Sequence, residues 1–353
     1  MVRPSRRPAL QGWAGRHHHN EQSENADQAE WQAVLYGQAH VSAGTMDEEM
    51  SEAADQDALP PGQASDQLQD KEVVREAAQG PVAEIIAERA GLLGAAYPFT
   101  VEGNSLAYLP GARPLYELLL GITQAPSLTT GACAQLPRVF EHLCTLAGKG
   151  YLGPASGGLR TGWPRPSTTS HFKQLVGQIK AAATHRPDDA EWSWQPESGL
   201  PENPVPALVK EEGLDLVVWQ TWGDTRGAPL YLFGQCACGS NWMDKGSDIQ
   251  MKTLERWFRM PSVDPVKSLF VPRYVVPSLM REMSQKAGLV FDRVRIVNAL
   301  QAQHLAAELD ALAAEIASAL AAAKAPAPVV AEALPQVARR INSKRSAMHP
   351  PPP

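Results

Sequence analysis

Two polar side chains, Asp215 and Gln235, interrupt apolar runs near the middle of the chain. The runs at 214–219 and 230–233 flank the turn-forming segment GDTRGAP, which predicts two adjacent antiparallel strands. Because alternate residues of a strand share a face, the acid and the amide are expected to meet over one face of this pair. A buried carboxylate or amide is costly unless it is paired or used. These residues are therefore the first candidates for a functional site.

An acid on one strand and an amide on the next resembles the PD-(D/E)xK nuclease superfamily, in its restriction-endonuclease-like, Mrr-type variants. In that family the second strand carries Glu or Gln, then any residue, then Lys. The corresponding positions here are Gln235, Cys236 and Ala237. The resemblance implies that Asp215 and Gln235 hold a divalent ion, Mg²⁺ or Mn²⁺, and that a lysine steadies the attacking water or the phosphate. Ala237 stands where that lysine is expected.

Two further residues are assigned roles by this resemblance. Lys245, eight residues after Ala237, is the candidate for the missing positive charge, and Lys210 is the second choice. Glu141 is the candidate for the extra metal-binding acid that a helix before the sheet often supplies, although a solvent-facing helical Glu is the alternative. The implied catalytic residues are Asp215, Gln235, Lys245 and Glu141, with Asp215, Glu141 and Gln235 as metal ligands.

Basic side chains between these motifs are candidates for contacts with nucleic acid. The Gly- and Pro-rich segment 148–169 predicts a loop in which basic residues alternate with Tyr151 and Trp163. This pattern suits a phosphate backbone with stacked bases, whereas a loop that covers the core with Trp163 packed inward is the alternative. The candidates from this loop and from a predicted helix at 171–184 are Lys149, Arg160, Arg165, Lys173 and Lys180.

The cysteines offer another kind of chemistry. Cys133, Cys144, Cys236 and Cys238 could in principle form a four-thiolate zinc site, but their spacing is unlike that of paired Cys-x-x-Cys knuckles. Free buried cysteines are the favoured interpretation. The sequence contains no Walker loop, dinucleotide fingerprint, nucleophile elbow or HExxH motif. Cys-His hydrolase chemistry stays open, because its partners can lie far apart in sequence.

Hydrophobic periodicity and composition divide the chain into five segments. Residues 1–69 predict a disordered acidic arm, 70–134 a subdomain of helices and one hairpin, and 135–298 the nuclease-like core. Residues 299–323 predict an Ala-rich helix that packs on the domain or on a partner helix, and 324–353 a flexible Pro-rich basic tail. The order of elements in the core predicts a mixed α/β fold. It has a central mixed β-sheet flanked by helices, as the restriction-endonuclease-like resemblance implies.

The expected elements have approximate bounds. A hairpin is predicted at 97–109 and a helix at 114–122. In the core the predicted strands are 214–219, 230–233, 268–276 and 289–296, and the predicted helices are 135–147, 249–259 and 277–285.

Composition limits the location and the partners. The net charge is −6, whereas a dedicated non-specific DNA binder is usually basic, but the acid is concentrated in the N-terminal arm. No stretch approaches the roughly 18 apolar residues of a membrane span, and the basic N-terminus lacks the apolar segment of a secretory signal. Four cysteines in a chain of this length favour a reducing cytoplasm.

Three functions are consistent with these patterns. The first is a metal-dependent deoxyribonuclease in prokaryotic restriction or phage defence, acting on DNA more readily than on RNA. The second is a catalytically inactive nuclease-fold module that binds nucleic acid or scaffolds a defence complex, which the missing lysine at Ala237 favours. The third is an unrelated α/β interaction protein, whose tails and Ala-rich helix contact protein partners.

Overall fold

Helices and strands follow one another along the chain in a mixed α/β order, which confirms the predicted fold class. The computed structural model describes residues 21–41, 80–165, 171–183, 190–196, 212–222, 224 and 226–325. All of these except Ala325 belong to one unit, Pro8–Lys324. The strands are β1 (Gln38–His40), β2 (Phe99–Glu102), β3 (Ser105–Tyr108), β4 (Ser156–Arg160), β5 (Leu216–Gln220), β6 (Leu230–Cys236), β7 (Val266–Phe270) and β8 (Leu289–Phe291). The helices are α1 (Glu21–Tyr36), α2 (80–93), α3 (Leu115–Gln124), α4 (Leu136–Leu152), α5 (Phe172–Ala183), α6 (Met251–Leu254), α7 (Pro277–Ala287), α8 (Arg293–Leu300), α9 (Ala306–Ala311) and α10 (Ala313–Lys324).

Two sheets organise these elements. The larger sheet has the strand order β4-β5-β6-β7-β8. Its first three strands form an antiparallel meander, and β7 and β8 then join in parallel. Parallel neighbours need crossover connections, and α7 lies in the connection from β7 to β8. The smaller sheet is antiparallel, with β3 between β1 and β2.

Alternation along β5 and β6 divides the core between the two faces of the larger sheet. One face packs on α4 and α8 and belongs to the largest apolar cluster, to which the two strands contribute Leu216, Val218 and Leu232. The other face packs on α5 and on Phe258, and it carries Val217, Trp219, Tyr231 and Phe233. Beyond this second cluster, α7 covers β7 and β8 through Met283 and Ala287. The sheet is therefore flanked by helices on both faces, as predicted.

Strand β4 lies in the segment that was predicted to be a loop. It pairs with β5 so that Gly157 lies opposite Trp219, and a β-carbon at Gly157 would collide with the indole. Glycine is therefore required where the large ring crosses the neighbouring strand. The sequence Ser-Gly-Gly-Leu-Arg has neither the β-branched composition nor the alternation of an ordinary strand, so sequence analysis missed it.

A buried ionic network attaches α1 to the rest of the unit. Arg293 on α8 donates two hydrogen bonds to the Asp27 carboxylate, at 2.8 and 2.7 Å. Arg89 on α2 lies 2.9 Å from both Asp27 Oδ1 and Glu30 Oε2. The side chains of Arg89, Arg293 and Glu30 are completely buried. Buried charges of this kind persist only when they are paired and hydrogen-bonded, so each carboxylate depends on the arginines around it.

Tyrosines complete this network. Tyr97 and Tyr116 donate hydrogen bonds of 2.7 Å to the two oxygens of the Glu30 carboxylate. Burial and the nearby Glu30 carboxylate raise the pKa of both phenols, which therefore remain donors at neutral pH. The guanidinium of Arg293 also lies over the Tyr116 ring, 5.2 Å from its centroid. Helices α2, α3 and α8 thus all contribute to one polar centre around α1.

The structure corrects several sequence predictions at the ends of the unit. Residues 21–41 were assigned to a disordered arm, but they form α1 and β1 and contribute to the core. The predicted strand at 289–296 ends at Phe291, because Asp292 caps α8 by accepting a hydrogen bond from the Arg295 amide. The predicted Ala-rich helix is divided among α8, α9 and α10, and α10 packs on α3. The remaining parts of the two predicted tails lie outside the described residues.

Candidate functional site

Asp215 immediately precedes β5, between the backbones that follow β4 and form β6. Its amide donates to the Gly234 carbonyl at 2.9 Å. Its carbonyl accepts hydrogen bonds from the amides of Thr161 and Gly162, at 2.7 and 3.0 Å. Both neighbouring strands therefore hold the backbone at Asp215, and the side chain starts from a fixed position.

The Asp215 carboxylate is only 8% exposed and takes part in the sheet itself. Its Oδ2 accepts a hydrogen bond of 2.7 Å from the Cys236 amide on β6. The amides of a strand point toward its neighbours, within the plane of the sheet. The Asp215 carboxylate therefore lies in that plane, next to β6, rather than above one face. The direct contact of the acid is thus with the backbone of the residue after Gln235.

Gln235 occupies a different position from the one predicted. Alternation places its side chain on the face of Phe233 and Ala237, away from the α4 face to which Cys236 packs. The residue is 7% exposed, and its Oε1 has no hydrogen-bond partner within the described part of the chain. Buried acceptors are almost always paired, so this amide oxygen needs an explanation. The predicted meeting of Asp215 and Gln235 over one face is replaced by adjacency through Cys236.

Glu141 on α4 approaches the same end of β5. Arg160 Nη1 donates to its Oε2 at 2.6 Å, and both side chains are largely buried. Arg160 also donates to the carbonyls of Gly162 and Pro164, at 2.9 and 2.6 Å. A β-carbon at Gly162 would collide with the Glu141 carboxylate. Because the Gly162 amide donates to the Asp215 carbonyl, the Glu141 side chain and the Asp215 backbone both lie against this one glycine.

The thiols of Cys144 on α4 and Cys236 on β6 lie close to each other and next to this pair of acids. Burial, reinforced by the charges of Glu141 and Asp215, raises the pKa of both thiols. Burial likewise raises the pKa of Cys238 to about 12. Thiols that stay protonated are poor nucleophiles.

The four-thiolate zinc alternative fails on position. Cys133 donates instead to the Ala322 carbonyl, at 3.5 Å. Among the described residues, no group of three or more His, Cys, Asp or Glu side chains is arranged to hold a metal ion. All four cysteines are free thiols.

Lys245 and Ala237 lie on the Gln235 side of the sheet. Lys245 belongs to a 3-10 turn, Asp244–Ser247, and its Nζ binds Asp248 Oδ2 at 2.8 Å. Ala237 is 4% exposed in an apolar cluster with Trp242 and Leu269. The position of the expected lysine is therefore filled by apolar packing. Lys210, the second choice, lies outside the described residues.

Ala237→Lys is expected to destabilise the protein, because the ammonium must either lose its hydration among Trp242 and Leu269 or displace them. Ala237→Met has a similar volume without charge and is the matched control, with an expected cost of about 1–3 kcal/mol for overpacking. The lysine variant should lose about 1–3 kcal/mol more in urea unfolding. Equal stability of the two variants would show that a lysine side chain reaches solvent from this position.

The five predicted nucleic-acid contacts are found in different surroundings. Lys149 is bound to Glu308 on α9 at 2.6 Å, and Arg160 is bound to Glu141. Arg165 donates to the Thr161 carbonyl at 3.2 Å and lies over the Trp163 ring. Trp163 is 50% exposed, so the alternative in which it packs inward is wrong.

The other two candidates belong to α5. Lys173 is exposed, and Lys180 donates to Ser193 Oγ at 3.0 Å. Three basic residues near α6, namely Lys252, Arg256 and Arg259, were not among the predicted contacts, although their spacing is visible in the sequence. The pairing of Arg160 with Glu141 was not predicted either, because no local pattern reveals it.

Comparison of the chain with family models, with curated proteins and with solved structures finds no match. Among the described helices, none combines the length and the apolar character that a bilayer span requires.

Proposed function

We propose that the chain is a nuclease-like, metal-dependent phosphodiesterase acting on DNA, in which Asp215 is the metal-binding carboxylate and Gln235 is the amide that the family resemblance assigns to the same ion. The observation that carries the proposal is the Gln235 amide oxygen, which is buried without a described hydrogen-bond partner one residue from the amide that binds Asp215. A buried acceptor regains the free energy of its lost hydration if it binds a cation. The setting in restriction or phage defence follows from the family resemblance alone.

The donor atoms at this position fit Mg²⁺ or Mn²⁺. A carboxylate and an amide supply hard oxygens, which these ions prefer, and Mg²⁺ in particular keeps several waters and needs few protein ligands. Glu141 is close, but its carboxylate is neutralised by Arg160, so it contributes through Arg160 and Gly162 rather than as a ligand. When bound, such an ion polarises a phosphoryl oxygen and lowers the pKa of its bound water.

Residues of the chain supply position and charge around this ion. The Cys236 amide fixes the Asp215 carboxylate, and the two neighbouring strands fix its backbone. Lys245 lies in the turn that follows Ala237, paired with Asp248, with 37% of its side chain exposed. Exposed pairs of this kind contribute only about 0–1 kcal/mol, so Lys245 can exchange Asp248 for a phosphate at little cost.

The topology around the acid also supports the proposal. Helix α4 carries Glu141, three antiparallel strands follow it, and β7 then joins β6 in parallel after a crossover. The resemblance implies the order helix, strand, strand, helix, strand, helix, strand. Helix α4 and the elements from β5 to β8 follow that order, with β4 and α5 as additional elements between α4 and β5.

Supercoiled plasmid DNA incubated with the purified protein and Mg²⁺ or Mn²⁺ is expected to become nicked or linear, as gel electrophoresis would show. The same mixture with excess EDTA is the control and should leave the plasmid intact. Plasmid that stays supercoiled with both ions, at protein concentrations that bind it fully, would overturn the nuclease proposal.

A catalytically inactive nuclease-fold module is the second candidate, and two contacts favour it. Ala237 is packed in an apolar cluster where the family carries its lysine, and Glu141 Oε2 is bound by Arg160. This candidate predicts DNA binding that persists in EDTA, with no cleavage in any divalent ion.

A further inference from the structure

Three basic residues form a stripe on the segment that begins with α6. Lys252, Arg256 and Arg259 are separated by four and three positions and are all exposed. Leu254 and Phe258, on the other side of the segment, are completely buried. The segment is therefore anchored by its apolar side and presents its positive charges outward.

A second element lies alongside this stripe. The Trp192 amide donates to the Arg259 carbonyl at 2.8 Å, and the Arg259 amide donates back to the Ser193 carbonyl at 2.8 Å. The Gln195 amide donates to the Trp257 carbonyl at 2.9 Å. Lys180 reaches the same place from α5, since its Nζ donates to Ser193 Oγ at 3.0 Å. Residues of α5, 192–195 and 251–259 thus form one continuous surface, called here the basic face.

The charge of the basic face opposes that of the chain. The whole chain carries −6, yet the exposed charged residues of the face are basic apart from Glu255. The acid Glu191 is buried and accepts a hydrogen bond from the Ser262 amide. Within the described residues, no ion pair is formed by Lys173, Lys252, Arg256 or Arg259.

Aromatic rings accompany these charges. Trp194 and Trp257 are partly exposed on the same surface, and their ring centroids lie 5.8 Å apart. Phe172 packs against Trp194, which ties α5 to this pair. Indole rings beside basic side chains provide stacking surface next to phosphate contacts. Only unpaired bases can stack on these rings, so the rings favour DNA with a single-stranded segment over a ligand that offers negative charge alone.

We propose that the basic face binds the phosphate backbone of DNA through Lys252, Arg256 and Arg259, with Lys173 and Lys180 extending the contact. The basic face covers Val217, Tyr231 and Phe233, whose side of the sheet continues to Gln235. A DNA strand that lies on the basic face is thereby directed toward the C-terminal end of β6. The inference rests on the proposed function for the identity of its ligand, and it adds the surface that holds the substrate.

The test measures binding separately from cleavage. A fluorescent duplex of 20 base pairs with a single-stranded overhang is titrated in EDTA with wild-type protein, with the triple variant Lys252→Gln/Arg256→Gln/Arg259→Gln, and with the control Arg138→Gln/Arg281→Gln/Lys286→Gln. The control makes the same change of net charge at exposed residues outside the basic face. Because these positions are exposed, both variants should keep the wild-type melting temperature.

The triple variant is expected to bind at least about tenfold more weakly, and the slope of log K against log salt should fall by about 2 to 3. The control should change the affinity by much less. The proposal is overturned if wild-type protein does not bind the duplex, if the two variants weaken binding equally, or if poly-glutamate competes as well as DNA. If the triple variant loses binding while the wild type never cuts plasmid, the basic face stands and the nuclease proposal fails.

Discussion

Asp215→Asn is expected to reduce plasmid nicking by about 10²- to 10³-fold while leaving the fold intact. The amide oxygen of Asn can still accept the hydrogen bond from the Cys236 amide, so the local structure is kept. The negative charge that attracts a divalent ion is lost. The initial rate of nicking in Mg²⁺, together with urea unfolding of the same protein, checks both parts of the expectation.

Two further variants serve as comparisons for Asp215→Asn. Asp264→Asn makes the same chemical change at an exposed position and should cut at the wild-type rate. Asp215→Ala also removes the acceptor for the Cys236 amide and should cost about 1–3 kcal/mol of stability in addition to the activity. If Asp215→Asn nicks plasmid at the wild-type rate, the Asp215 carboxylate serves only to accept the hydrogen bond from the Cys236 amide.

Arg293→Met is expected to lower the free energy of unfolding by about 3–5 kcal/mol. The substitution leaves Asp27, whose side chain is 9% exposed, with Arg89 as its remaining close ion-pair partner among the described residues. Methionine keeps much of the volume, so the loss reports on charge rather than on a cavity. Urea unfolding at neutral pH measures it.

The control for this prediction is an exposed ion pair. Arg113 binds Asp310 at 2.7 Å with 41% and 68% of the two side chains exposed, and Arg113→Met should cost no more than about 1 kcal/mol. A loss from Arg293→Met as small as that of Arg113→Met would contradict the role assigned to the buried network.

The loss from Arg293→Met should also depend on pH. Burial alone would raise the pKa of Asp27, but Arg293 and Arg89 outweigh it and hold the pKa below its usual value of about 3.9. The stabilisation from this carboxylate is therefore complete above that value and is lost as the pH falls toward the lowered pKa. The difference in stability between wild type and Arg293→Met should shrink over the same range, without crossing zero.

Elements with strong local signals were predicted well from the sequence. The hairpin of β2 and β3, helix α3 and the pair β5 and β6 all appear close to the expected positions. Each has apolar periodicity with turn residues at its ends. The elements that were not predicted depend on contacts that a local sequence pattern does not show. β4 owes its glycines to Trp219 on another strand, and α1 buries polar residues whose partners lie far along the chain.

The candidate site was predicted in its composition but not in its geometry. Alternation alone placed Asp215 over the face of Gln235, but Asp215 precedes β5, and its carboxylate turns into the sheet to bind the Cys236 amide. The partner of Glu141 is Arg160, which comes from the strand that the sequence did not reveal. Contacts between elements that are distant in sequence decided both outcomes.

The link between α1 and α8 also has a consequence for the order of events during synthesis. Asp27 and Arg293 are separated by 266 residues, so the ribosome releases the acid long before its arginine. At about 5–20 residues per second, the interval is on the order of tens of seconds. Arg89 is made early in this interval, but until Arg293 follows, the Asp27 carboxylate lacks the arginine that donates two hydrogen bonds to it. Final docking of this helix therefore has to wait until translation is nearly complete.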